Sequence, residues 1–213
     1  FNLEEEYVPP VLRDPEDVTT YSLRSSDIPV RIFRCRRDRR QLKGTQALEY
    51  VQWAESSPEA KVRIIRGKNK GKLVQVPDVS TVSSRGEWYQ LPNIDPAKIF
   101  LPKIVKNRHV IPLSDEPIYS TDNFYPLYCD NPVDLWLYLN SAIFRLFMEL
   151  NGRWEGAGAL QVMVYEYKQC PGLNLLSSFS QTFRRLEEFR SRVAYRFVNI
   201  SEQGPLELEQ EDR

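Results

Sequence analysis

A chain of 213 residues with 41% hydrophobic and 12% aromatic residues is long enough for one large domain or two small lobes that share a core. No apolar run approaches the ~20 residues that a membrane-spanning helix needs, so the sequence excludes such a helix. The 29 basic and 29 acidic residues cancel, which would ordinarily argue against a polyanionic partner.

The charges, however, are unevenly distributed along the chain. Residues 1–23 hold one basic and six acidic residues, residues 24–108 hold nineteen basic and eight acidic residues, and residues 109–213 hold nine basic and fifteen acidic residues. A basic block between two acidic ones is typical of a protein that binds a polyanion on one face. An unevenly charged solvated surface gives the same pattern.

The cysteines and the single histidine make a metal site improbable. Cys35, Cys129 and Cys170 are widely spaced, and His109 cannot pair with a second histidine. We therefore expect free thiols and no zinc, as in a reducing cytoplasm. The N-terminal residues contain neither a basic region nor an apolar signal core, so we expect the chain to be part of a longer protein.

The positions of prolines, arginines and apolar residues predict the first elements of the chain. Residues 1–28 are rich in proline and predict an extended connector. A short strand is expected at 30–35, followed by an arginine-rich stretch. A helix is expected from Thr45 until Pro58 closes it.

Residues 61–79 predict a hairpin, because two β-rich runs flank the glycines of Gly67-Lys-Asn-Lys-Gly71. Its tip would present four cations together: Arg66, Lys68, Lys70 and Lys72. The spacing of a phosphate-binding P-loop is absent. The tip is therefore expected either to contact a row of phosphates or to be merely solvated.

Further strands are expected around 99–101 and 104–105, and Asp122-Asn123 predicts a turn before strand-like aromatic residues. Trp88 and Tyr89 are expected in the core, with stacking on bases as the alternative. These elements carry several of the polar residues discussed below.

The stretch 129–167 contains the strongest pattern in the chain. It predicts one long buried helix over 131–150 with Asn131 as its cap, and an apolar face formed by Trp136, Leu139, Ile143, Leu146, Phe147 and Leu150. Asn151-Gly152 predicts a left-handed helix stop, and Gly156 and Gly158 predict a structural turn. A strand at 160–165, a second amphipathic helix at 177–197 and a frayed acidic tail are expected to follow.

Seven segments resemble, in order, the C-terminal specificity domain of Taq-type N6-adenine DNA methyltransferases of restriction-modification systems. They are YVPPVLRDPEDV, LEYVQWAE, RGEWYQL, KIFLPKIVKNR, DNFYPL, LNSAIFRLFMELNGRWEGAGALQVMVYEY and CPGLNL. Each motif alone is loose, but their shared order covers most of residues 7–175. The chain is identified by this order as a member of that family.

The resemblance implies an α+β fold, with a mixed or antiparallel sheet region and a helical lobe. It implies a connector at 1–28, a recognition domain at 29–198 divided at residue 128, and an acidic tail at 199–213. The implied partners are double-stranded DNA and the N-terminal catalytic domain of the same polypeptide, in a prokaryotic cytoplasm. The implied function is recognition of a DNA target for adenine methylation.

The departures from the family concern catalysis. The Asn/Asp-Pro-Pro-Tyr/Phe loop that holds the flipped adenine is missing, and so is the Gly-rich loop for S-adenosylmethionine. The string Gly156-Ala-Gly158 follows a predicted helix rather than a strand. We therefore expect neither methyltransferase activity nor a cofactor in this fragment, and assign S-adenosylmethionine to the parent enzyme.

The candidate DNA-binding residues combine cations for phosphates with polar side chains for base edges. They are Arg66, Lys68, Lys70, Lys72, Arg85, Lys103, Lys106, Asn107, Arg108, Asn123 and Arg153. Arg108 is the candidate for reading a base.

Three alternatives remain open. The chain could resemble a specificity subunit that docks a separate enzyme subunit, with its C-terminal helix as the docking surface. It could be an RNA-binding module, because aromatic residues are plentiful among the basic ones. A hydrolase using Glu49, Glu55 or Asp122 is less favoured, because no Asp/Glu-x-Lys cluster is evident.

Overall fold

The computed structural model describes residues 1–106 and 109–171, which divide into two compact units. The first unit comprises Phe1–Pro10 and Val30–Asp95, and the second comprises Val11–Pro29 and the described residues from 96 onward. The sequence placed boundaries at residues 28 and 128 instead. The helix predicted at 177–197 and the acidic tail lie outside the described residues.

The elements confirm the predicted α+β class. The strands are β1 Val11–Leu12, β2 Ser22–Leu23, β3 Val62–Arg63, β4 Leu73–Val74, β5 Ala97–Pro102, β6 Ile104–Val105, β7 Leu113–Ser120, β8 Phe124–Leu127, β9 Arg153–Trp154 and β10 Leu160–Gln161. The helices are α1 Gln46–Ser56, α2 Pro132–Leu139, α3 Ala142–Asn151 and α4 Val164–Tyr167, besides short 3-10 turns.

Helix α1 lies in the first unit and forms where the sequence predicts it. The hydroxyl of Thr45 accepts a hydrogen bond from the Leu48 backbone at 3.2 Å, which satisfies one of the free donors at the helix start. The carboxylate of Glu4 accepts two more backbone hydrogen bonds at the same end, at 2.8 and 3.1 Å. Ala47 and Val51 of α1 pack in one cluster with Tyr7, Cys35, Leu42 and Tyr89.

The strand predicted at 30–35 is wrong in detail. The segment is extended and bonds to residues 7–10, with Ile32 N donating to Pro9 O at 3.1 Å and Arg34 N donating to Tyr7 O at 2.8 Å. Only an isolated bridge between Pro10 and Arg31 forms, because proline cannot donate the hydrogen bonds of a regular ladder.

A mixed sheet is the core of the second unit, as expected. Its order is β1-β7-β5-β8, and β2 pairs with β7 as well. β1 and β2 run parallel to β7, whereas β5 is antiparallel to both β7 and β8. A smaller antiparallel sheet has the order β6-β10-β9. Residues 11–23, predicted to be connector, therefore supply two strands.

The long helix predicted over 131–150 is wrong: α2 ends at Leu139 and α3 begins at Ala142. The side chain of Asn140 explains the break, because its Oδ1 accepts from Ile111 N and its Nδ2 donates to Ile111 O, both at 2.9 Å. Ser141 then starts α3 by accepting a hydrogen bond from Phe144 N at 3.2 Å.

The residues of the predicted apolar face are buried in α2, but most of those in α3 are exposed. In α2, Trp136 and Leu139 are buried, but in α3 the side chains of Ile143, Leu146 and Leu150 are exposed by 62%, 41% and 70%. Phe144 and Met148 are the apolar residues that α3 buries. A new helix start at Ala142 allows the buried face to change.

Two predicted helix signals act differently from expectation. Asn131 makes no capping hydrogen bond, and its amide donates to the carboxylate of Asp134 instead. Gly152 has φ −78°, so it is not a left-handed stop. A Cβ at Gly152 would lie 2.8 Å from Met148 O and 2.9 Å from Leu160 Cδ1, so the close approach of β10 explains the glycine.

The predicted glycine turn is present, but only one of its glycines has a special backbone. Gly158 has φ +71°, whereas Gly156 lies outside the left-handed region and has open space around a built Cβ. The turn joins β9 to β10, so it follows a short strand and not the predicted helix. The strand predicted at 160–165 ends at Gln161, and α4 begins at Val164.

Candidate nucleic-acid interface

The hairpin predicted at 61–79 is present in the first unit. β3 and β4 pair with Val62 opposite Val74, and the ladder extends through hydrogen bonds between Ile64 and residues 71 and 72. Gly67 and Gly71 adopt φ +80° and +90°, a left-handed backbone that other residues rarely adopt. The two glycines therefore define the turn that carries the cations.

All four predicted cations of the hairpin are exposed: Arg66, Lys68, Lys70 and Lys72. Lys72 Nζ donates to the side chain of Asn69 at 3.0 Å, and none of the four forms an ion pair within the described part of the chain. Four positive charges on one short turn, without nearby carboxylate partners, are suited to binding a row of phosphates.

Two arginines of the stretch 34–40, Arg37 and Arg39, form ion pairs within the first unit. Arg37 pairs with Glu6 at 3.2 Å, while the Arg39 guanidinium bonds to both Glu55 and Glu87. Burial raises the pKa of Glu55, but hydrogen bonds from Arg39 and Trp88 outweigh burial and lower that pKa overall. Part of the basic block therefore stabilises the first unit.

Arg85 is half-buried and belongs to the same polar region as Arg39 in the first unit. Its Nη1 donates to Gln90 O at 3.5 Å, and it lines a shallow cavity of about 390 Å³ with Glu55 and Trp88. Tyr89 is buried as predicted, whereas Trp88 is only partly buried against the same cluster and donates from Nε1 to Glu55 at 2.7 Å.

A groove of about 640 Å³ in the second unit brings together three predicted residues: Lys103, Lys106 and Asn123. Lys103 lies between β5 and β6, where its backbone N donates to Asn123 O at 2.9 Å. Its ammonium lies 5.1 Å from the centre of the Tyr125 ring. Asn107 and Arg108, which follow Lys106 in the chain, lie outside the described residues.

The opposite side of the groove is acidic and was missed by sequence reasoning. Asp14, Pro15 and Glu16 line it, and Glu16 Oε1 lies 2.6 Å from Lys106 Nζ. The hydrogen bond from Lys106 to this carboxylate raises the pKa of the lysine. The sequence Asp14-Pro15 could have predicted the helical turn that carries Glu16. In the structure Asp14 accepts a hydrogen bond from Glu16 N at 3.0 Å.

Asn123 and Arg153 have structural partners. Asn123 Nδ2 donates to Arg13 O at 3.0 Å, which fixes the segment before Asp14 against the turn between β7 and β8. Arg153 Nε pairs with Glu166 Oε1 at 2.9 Å, and the buried Glu166 also accepts from Met163 N at 2.6 Å. Arg153 therefore connects β9 to the start of α4, away from the groove lining.

Metal and membrane features are not found among the described residues. No group of three or more His, Cys, Asp or Glu side chains is placed to hold a metal ion there. No helix in the described ranges is long and apolar enough to cross a membrane.

Comparison with known proteins gives one family and one solved structure. The family described as "Type II methyltransferase M.Eco57I, C-terminal domain" matches residues 20–198. The type IIG restriction endonuclease BpuSI has a similar structure, with a TM-score of 0.57 and 15% sequence identity over 91% of this chain. That alignment spans 22% of the BpuSI chain, and at this identity the likeness concerns the fold. No curated protein matches.

Proposed function

This chain belongs to the family of C-terminal domains of M.Eco57I-type type II methyltransferases, and we propose that it recognises the DNA target of an adenine-N6 methyltransferase in a restriction-modification system. The observation that carries the DNA-binding part of the proposal is the hairpin tip, whose four exposed cations have no ion-pair partner among the described residues. The family match over residues 20–198 supports the assignment to a type II methyltransferase.

The two basic regions would have different tasks. The hairpin cations would neutralise phosphates without regard to sequence, because a Lys or Arg that meets a phosphate releases condensed counterions. The groove in the second unit offers two ammonium groups and an amide near β5, β6 and β8. Donors and acceptors at such positions can reach base edges, and Arg108 remains the candidate base reader.

The catalytic half of the enzyme would lie in the rest of the polypeptide. It would supply the loop that holds the flipped adenine and the site for S-adenosylmethionine. The proposed partners are therefore duplex DNA and an N-terminal catalytic domain of the same chain.

A salt titration tests the hairpin. Binding of a random-sequence duplex is measured for the unaltered chain and for the variant in which Arg66, Lys68, Lys70 and Lys72 are all replaced by Gln. Each lost phosphate contact is expected to reduce the slope of log affinity against log salt by roughly one unit. A matched control replaces Arg24, Arg40, Lys43 and Lys168, which are also exposed, and so removes the same charge elsewhere.

Equal slopes for the hairpin variant and the unaltered chain would contradict the proposal. A single-stranded RNA in the same titration tests the RNA-binding alternative, because an RNA-binding module should prefer the RNA to the duplex.

A further inference from the structure

Glu16 occupies an unexpected place in the groove of the second unit. A carboxylate repels phosphates and is therefore unexpected in a groove proposed to bind DNA. Glu16 Oε1 nevertheless lies 2.6 Å from Nζ of Lys106, one of the two lysines of that groove. Both side chains are largely exposed, by 68% for Glu16 and 57% for Lys106. An ion pair in such a solvated position is weak and readily exchanged.

The backbone around Glu16 is fixed by bonds from other elements. Asp14 caps the 3-10 turn Pro15–Asp17, and Arg13 O accepts hydrogen bonds from the side chains of Thr121 and Asn123. The turn is therefore attached to the end of β7 and the start of β8. Glu16 lies on an anchored segment, not on a loose connector.

We propose that Glu16 takes the position of a phosphate at Lys106 and so suppresses sequence-independent binding of DNA, an inference that rests on the proposed function. A carboxylate and a phosphate oxygen accept the same kind of hydrogen bond from an ammonium group. Glu16 therefore competes with a phosphate for Lys106, and its negative charge repels a phosphate that approaches the ammonium group. Sequence-independent binding, which depends on phosphate contacts, is therefore weakened by Glu16.

The test measures binding of a random-sequence duplex to E16Q over a range of salt concentrations. Releasing Lys106 is expected to raise affinity about threefold or more at low salt, and to steepen the salt slope by about one unit. The control is D122N, which removes the same charge from an exposed residue adjacent to groove-lining Asn123. Asp122 forms no ion pair within the described ranges.

A double-mutant cycle with K106Q links the effect to the lysine. In the K106Q background, E16Q is expected to raise the affinity for the duplex no more than D122N does, because the ammonium group that E16Q would release is gone. An E16Q chain that binds like D122N, or binds more weakly than the unaltered chain, overturns the inference. The proposed function fails separately, if the hairpin substitutions leave the salt slope unchanged.

Discussion

The single histidine shows how burial can set the chemistry of a residue. His109 is buried, and its Nε2 lies 2.8 Å from Leu139 O. Since a carbonyl only accepts, Nε2 carries the proton. Burial lowers the pKa of His109 to about 4; the hydrogen bond to Leu139 opposes this shift, and the nearby Arg145 adds to it. The imidazole is therefore neutral in the folded chain at physiological pH.

Stability is expected to fall as the solution is acidified through pH 6.5. The unfolded chain then binds a proton at His109, whereas the folded chain does not bind that proton until the pH falls to about 4. Relative to its value above about pH 7.5, where neither state binds this proton, the free energy of unfolding should be lower by about 2 kcal/mol at pH 5. Urea unfolding at several pH values measures it.

The matched variant is His109→Gln, whose amide can still donate to Leu139 O but does not titrate. Its unfolding free energy should be nearly flat over the same range. The explanation is wrong if the unaltered chain and the variant show the same pH dependence.

At the scale of elements, the helix break after Leu139 shows why local pattern was insufficient. The apolar spacing continues through the break, and Ser141 was the only local signal of a new helix start. The cause of the break is Asn140, whose side chain bonds to Ile111, 29 residues earlier in the chain. A stretch of sequence as long as a helix does not include both Asn140 and Ile111, so the periodicity of the helix could not reveal this contact.

Two adjacent residues of α3 provide a direct test of its observed orientation. Phe144 is 4% exposed and stacks on Tyr167 with ring centres 6.3 Å apart, whereas Ile143 is 62% exposed. Phe144→Ala should destabilise the chain by about 3–5 kcal/mol, because it leaves a cavity. Ile143→Ala should change stability by within about 0.5 kcal/mol.

Denaturant midpoints of the two variants distinguish the observed helix from the predicted one. The long helix of the sequence prediction placed Ile143 on the apolar face. Comparable destabilisation by both substitutions would favour that orientation.

At the scale of the whole molecule, the family resemblance implied the α+β class, whereas α1, the charged hairpin and the turn before β8 followed from local patterns in the sequence. These features depend on contacts within a few residues: the Thr45 cap, the two glycines of the hairpin, and Asp122-Asn123. The parallel pairing of β1 and β2 with β7 did not follow, because Val11 lies opposite Tyr119 and Ser22 opposite Leu113. The same long-range pairing places Glu16 in the groove, so that half of the candidate site was missed.

S-adenosylmethionine is expected not to bind this chain without the rest of the enzyme. A nucleotide-type cofactor loop runs from a strand into a helix, whose N-terminus then faces the ligand. Here Gly156–Gly158 joins β9 to β10, two antiparallel strands. The sequence also lacks the loop that would present an adenine to the cofactor.

Isothermal titration calorimetry with S-adenosylmethionine should therefore give no stoichiometric complex at micromolar concentrations. A duplex-DNA titration of the same sample at low salt shows that the sample is competent to bind its proposed ligand. Heat that saturates at one cofactor per chain would contradict the division of labour, since recognition and cofactor binding would then reside in the same fragment. In that case Gly158→Ala is informative, because φ +71° makes the β9–β10 turn sensitive to a side chain. Loss of cofactor binding in that variant would place the cofactor at this turn.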